Sequence, residues 1–185
     1  MNIELKNSIE SDLFRYFGTK KLSLKMILKA HFFEPQIGFT IAWRKYKFYK
    51  KNRCRLRAVF YKYKLIRYGH KFGFQFSYDA EIGDGMYIGH CGRIIFGAVK
   101  IGKNLNVGTG VTIGAVNGNS PTIGDNVWIG TNAVVVGDIE IGDDVLISPN
   151  TFVYPSIPSH STVRGNPSVV KPKLGATDKV ITNKI

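Results

Sequence analysis

Four histidines, His31, His70, His90 and His160, are the side chains best suited to moving a proton near neutral pH, because an unperturbed imidazole titrates at about 6.5. A hydroxyl is a poor nucleophile until its proton leaves, so an imidazole beside an alcohol acceptor is a natural general base. His31 and His70 lie in a strongly basic stretch, where a solvated or charge-neutral surface role is expected. His160, in IPSHSTV, reads as an exposed loop residue. His90 differs: it follows Ile88-Gly89 inside a regular repeat and should project outward from it. Cys54 and Cys91 are too few for a disulfide framework and form no metal-binding cluster. Cys91 adjoins His90, but strand neighbours point to opposite faces and no base is evident for it, so it is expected to pack.

The repeat has a period of six. Ile123-Gly124, Ile129-Gly130, Val135, Ile141-Gly142, Ile147 and Val153 follow without a slip, and Ile101, Val107 and Ile113 keep the same step upstream, as do Ile82 and Ile88. One extra residue separates Ile88 from Ile101, and four extra lie between Ile113 and Ile123, inside AVNGNSPT. Such a period fits neither a helix nor plain strand alternation. It suits a chain that turns a corner after each short strand and points one aliphatic side chain inward on each of three faces. Stacked turns then share one core, and the glycine or small polar residue after each aliphatic relaxes the corner.

With GMYIGHCGRIIFG, VTIG and its loop, VWIGTNAVVVGDIEIG and IPSHSTVRGNPSVV, residues 75–171 resemble the hexapeptide-repeat acyltransferases. Within them, the serine-acetyltransferase-like branch, which includes enzymes that O-acetylate bacterial surface sugars, is the best match. The resemblance implies a mainly β protein, a left-handed parallel β-helix with an α-helical N-terminal region, assembled as a homotrimer with acetyl-coenzyme A between neighbouring subunits. It implies His90 as the catalytic base of a direct acetyl transfer, with a backbone N–H near the four-residue insertion stabilising the oxyanion. Donor contacts carried over by alignment fall at Gly114, Ala115, Gly130, Thr131, Ser148 and Pro149, and Arg164, Lys171 and Lys173 are candidates for the phosphates.

Two positions depart from true serine acetyltransferases. Where those enzymes carry a second histidine in the loop, this chain has Ser120, near Asn117. Where they pair the base with an aspartate, it has Gln75, and an amide orients a ring without stabilising an imidazolium. The expected acceptor is therefore a sugar hydroxyl of a surface polysaccharide or its precursor. Serine O-acetylation, an inactive scaffold and a metal-dependent hydratase are the alternatives. The hydratase needs several histidines around a metal, so no metal is expected.

Charge divides the chain. Residues 1–75 hold 18 Lys/Arg against 4 Asp/Glu, and residues 76–185 hold 8 against 9. The domains expected are a basic helical region at 1–73, the β-helix at 74–171 and a tail at 172–185. Ser8 or Ser11 should cap a first helix closed by Gly18. Pro35 should end a second helical segment containing Leu22, Met26, Ile27 and Ala30. One amphipathic helix, interrupted on its face by Arg53, should run from about Ile41 to Tyr68. Residues 44–71 interleave twelve cations with aromatics, a composition that suits either a cap on the open end of the β-helix or contact with an anionic membrane. Nucleic acid is not an expected partner. No run of about 18 apolar residues exists to span a bilayer, and the acidic start MNIELKNSIESDLF argues against export. A cytoplasmic location is expected, at most peripheral at the inner face of the membrane.

Overall fold

The computed structural model of the protein describes residues 2–19, 23, 28, 34–166 and 169–172. The helices are α1 (Ile3–Phe17), α2 (Pro35–Lys51) and α3 (Arg55–Phe72). Helix α1 starts five residues before Ser8: the Asn2 side chain accepts the Glu4 N–H at 2.8 Å, and Gly18 ends the helix at φ 66°. Ser8 instead donates to Asp84 Oδ1 at 2.5 Å. The expected segment through Leu22, Met26, Ile27 and Ala30 lies outside the described residues, and Pro35 opens α2. The single helix expected across 41–68 is two. Arg53 at φ 54° breaks it, and the two halves fold back into a hairpin.

Short parallel strands form three sheets. The first holds β1 (Phe74–Phe76), β4 (Ile94–Phe96), β7 (Thr112–Gly114), β10 (Val134–Val136) and β13 (Phe152–Val153). The second holds β2 (Glu81–Ile82), β5 (Lys100–Ile101), β8 (Thr122–Ile123) and β11 (Glu140–Ile141). The third holds β3 (Tyr87–Ile88), β6 (Asn106–Val107), β9 (Trp128–Ile129), β12 (Leu146–Ile147) and β14 (Ser161–Arg164), with β15 (Val169–Pro172) added antiparallel. The chain visits the sheets in rotation, so each circuit is one coil of a prism, and Ile88, Ile113, Ile129, Val135, Ile147 and Val153 are fully buried along its axis.

Register explains the two breaks in period. Phe96, 2% exposed, fills the face between Ile88 and Ile101. The corner after Ile88 is thus two residues longer than six, and the next is one shorter. The four-residue insertion becomes a loop between β7 and β8, closed by paired hydrogen bonds between Val116 and Asn119.

The corners are not relaxed by the glycine after the aliphatic. Left-handed φ occurs three positions after it, at Asn104, Asn126, Asn132, Asp144 and Asn150, residue types that tolerate that region. Gly83, Gly102 and Gly124 serve close approach instead: a Cβ on Gly83 would lie 2.6 Å from the Gly102 carbonyl carbon of the next coil.

The helices seal the first coil, whose strands have no neighbour on one side. Asp12 accepts the Gly85 and Met86 N–H groups at 2.8 Å each, and Arg44 donates to the carbonyls of Ile82 and Gly83 at 2.6 Å each. The two side chains are also paired, Arg44 Nε to Asp12 Oδ2 at 2.6 Å. Burial pushes the Asp12 carboxyl up against the opposing pull of Arg44. Arg15 donates to Gly85 O and Asn106 Oδ1. Tyr16 Oη donates to Ile88 O at 3.2 Å and accepts Ile88 N–H at 2.8 Å, closing the edge of β3. Phe39 and Trp43 of α2 pack on Phe74 and Phe76 of β1. Residues 44–71 share the capping expected of them, through Arg44, Tyr46 and Leu65, with Asp12, Arg15, Tyr16, Phe39 and Trp43 upstream, and together these cover an edge otherwise open to another chain.

Candidate functional site

Three edges run along the prism, and the predicted site residues divide between two of them. His90 stands at the edge where the third sheet passes to the first, on a corner two residues longer than six, and it is exposed. Gly130-Thr131 and Ser148-Pro149 occupy the same corner on later coils, between β9 and β10 and between β12 and β13. Arg164, exposed at the end of β14, finishes that column. At about 4.8 Å per coil, His90 and Arg164 are separated by roughly 19 Å along the axis. The column packs closely: a Cβ on Gly130 would meet Pro149 N at 2.6 Å, and one on Gly108 would meet Thr131 N at 2.7 Å.

The other predicted residues lie elsewhere. Gly114, at the end of β7, and Ala115 border the edge between the first and second sheets, as do Asn117, exposed at φ 53°, and the half-buried Ser120. Within one chain, therefore, the loop does not share an edge with His90. Gln75 is exposed on β1 and lines a separate cavity of about 580 Å³ with His70, Trp43 and Asp79. Lys171 is on β15, opposite Thr162. His31 and Lys173 lie outside the described residues, as does nearly all of the expected tail. His160 is exposed as expected and meets Asp144 at 3.0 Å. Cys91 is a correction: it is exposed on the long corner rather than packed, because two extra residues break the strand alternation on which the packing expectation rested.

His90 borders a cavity of about 320 Å³ that it shares with Tyr16, Glu34, Gln36, Ile37 and Tyr87. Glu34 is half-buried at the start of α2 and its Oε2 accepts from Gln36 Nε2 at 2.5 Å. The Tyr16 and Tyr87 rings lie 4.5 Å apart beside it, and burial pushes the Tyr16 phenol well above its ordinary range, keeping it protonated. Sequence reasoning missed Glu34, Gln36 and Tyr16. They come from helices more than fifty residues upstream, and only the docking of α1 and α2 on the first coil brings them to His90. The site thus offers an outward imidazole, a carboxylate in the same cavity and a corner column of small residues ending in a cation.

Comparison with known proteins gives the arrangement a context. Residues 120–155 match the family described as bacterial transferase hexapeptide (six repeats). A serine acetyltransferase of Staphylococcus aureus is 38% identical over 100 residues, covering 51% of this chain and 47% of the relative. The chain thus aligns with about half the length of that curated relative. The solved Neisseria gonorrhoeae serine acetyltransferase in complex with serine superposes with a TM-score of 0.75 at 26% identity, over 91% of this chain and 69% of that one. The Vibrio cholerae serine acetyltransferase covers 100% of this chain and 72% of its own, with a TM-score of 0.79 at 17% identity. These likenesses bear out the left-handed β-helix. The hexapeptide match falls inside the β-helix, and the likenesses show that this fold is shared with solved serine acetyltransferases.

Proposed function

We propose that the protein is an acetyl-coenzyme A-dependent O-acetyltransferase in which His90 is the general base. The observation that carries this reading is His90 itself: an exposed imidazole on a lengthened corner, at the head of a column of small residues that ends at Arg164. In the reaction, His90 takes the proton of the acceptor hydroxyl while that oxygen attacks the thioester carbonyl. The tetrahedral intermediate expels the coenzyme A thiolate, which recovers the proton from the imidazolium, and a backbone N–H holds the oxyanion. Glu34, in the cavity that His90 borders, is the carboxylate in the place of the one that Gln75 does not supply. A solved serine acetyltransferase bound to coenzyme A supports the donor.

Two prism edges carry the predicted donor and acceptor residues, so a complete site needs a second copy: the loop edge of one subunit, with Gly114, Ala115, Asn117 and Ser120, against the His90 edge of its neighbour. This supports the expected homotrimer. For the acceptor, the relatives are named for serine, which favours serine over the surface sugar expected from the sequence. Ser120 and Gln75, which replace the loop histidine and the aspartate, keep a sugar hydroxyl as the second reading.

Labelled acetyl-coenzyme A offered with serine and with a panel of sugars tests both. Acetylation of serine alone establishes the first reading, acetylation of a sugar alone the second, and turnover of neither abandons the transferase. His90→Ala should fold and bind coenzyme A but lose about 10²- to 10⁴-fold in turnover.

A further inference from the structure

We propose that the outer face of α3 docks on an anionic lipid bilayer, independently of the reaction assigned above. Helix α3 carries two apolar seams. Tyr61, Leu65, Tyr68 and Phe72 turn inward onto the aromatic core, and Leu65 is the only fully buried residue of the helix. The second seam, Leu56, Val59, Phe60, Tyr63 and Ile66, follows the same helical spacing and faces solvent, with Leu56 89%, Val59 65% and Tyr63 60% exposed. Among the described residues this seam has no partner, although four of its five residues are of types normally buried.

Charge selects the occupant. Helix α3 bears six Lys/Arg and no Asp/Glu, and among the described residues no carboxylate is paired with any of them. Several lie against aromatic rings, such as Arg57 over Tyr49 and Lys64 over Phe60, which holds the charge beside the apolar seam rather than over it. The α2–α3 turn continues the surface with a groove of about 320 Å³ lined by Tyr49, Arg53, Arg55, Val59 and Lys62. A second copy placed on this face would bring two sets of six cations together. A bilayer with anionic headgroups meets both features at once, taking the seam to the acyl boundary and the cations to lipid phosphates. The basic helical end and near-neutral β-helix orient the molecule with that face toward the membrane.

The test is co-sedimentation of the full chain with vesicles of phosphatidylglycerol and phosphatidylcholine in equal parts, against vesicles of phosphatidylcholine alone. Binding to the first, weak binding to the second, and release by salt are expected. Replacing Leu56, Phe60 and Tyr63 together by Ser should weaken binding at least about tenfold, and R55Q and R57Q should each weaken it about fivefold. These side chains are exposed, so the circular dichroism spectrum should not change. Should the triple variant misfold, V59S with R55Q and R57Q carries the same expectation. The proposal is overturned by absence of binding at low salt, by equal binding to both vesicles, or by variants that bind like the parent. It is equally overturned if the parent ignores vesicles and the seam variants change its oligomeric state, which would make the face a contact between copies.

Discussion

At the level of single residues, the role proposed for His90 rests on its exposure on a corner whose chain neighbours, Gly89, Cys91 and Gly92, are small. His90 takes the slot, two residues after the buried aliphatic, that the exposed Thr131 fills two coils on. Glu34 is the residue that tests whether the cavity matters. Glu34→Gln keeps the bond geometry to Gln36 but removes the charge, and should lower kcat between about 10- and 10⁴-fold with little change in coenzyme A affinity. Wild-type turnover in this variant would show that the imidazolium needs no carboxylate. The corner residues make a separate point. Asn150, at φ 56°, should lose about 1–2 kcal/mol on change to Ala and almost nothing on change to Gly, read from denaturant midpoints. Gly102→Ala should cost about 1–3 kcal/mol despite ordinary φ, because its Cβ would lie 2.7 Å from the Gly124 carbonyl carbon.

Among the elements, the docking of α1 and α2 on the first coil decides the stability of the open end. Asp12 and Arg44 are both buried and together hold four backbone groups of the first coil. Arg44→Met should therefore cost about 3–5 kcal/mol, because it leaves Asp12 charged and unmatched. Adding Asp12→Leu should recover only part of that. The charge conflict disappears, but the N–H groups of Gly85 and Met86 and the carbonyls of Ile82 and Gly83 keep no partner. Full recovery in thermal unfolding would mean that those groups find other partners. Tyr16, bonded to both backbone groups of Ile88, makes the same kind of contribution on β3 and also walls the His90 cavity.

For the whole molecule, the proposed site residues divide between two edges, and on that reading activity is a property of the assembly. Copies carrying His90→Ala and copies carrying Ala115→Trp should each be inactive, yet trimers formed by mixing them should recover part of the wild-type rate, because some interfaces then join an intact base to an intact loop. Recovery below background would show that each chain holds its own complete site. Among the described residues no helix is long and apolar enough to cross a membrane.

Much of this was legible in the residues. The six-residue period gave the prism, its inward aliphatics and the outward position of His90, because each repeat satisfies its own small set of contacts and the pattern is local. The same locality hid the rest. Phe96 restores the core across a broken period, and only the pairing of β4 with β1 and β7 reveals it. The sequence showed a helical, basic N-terminal region, but tertiary structure decided where it turns, which seam faces inward and which backbone groups it satisfies. Contacts between residues fifty or more positions apart depend on how the helices dock, and no spacing in the chain records that. The cavity that Glu34 and His90 share is decided at that level, and so is the exposure of the α3 seam.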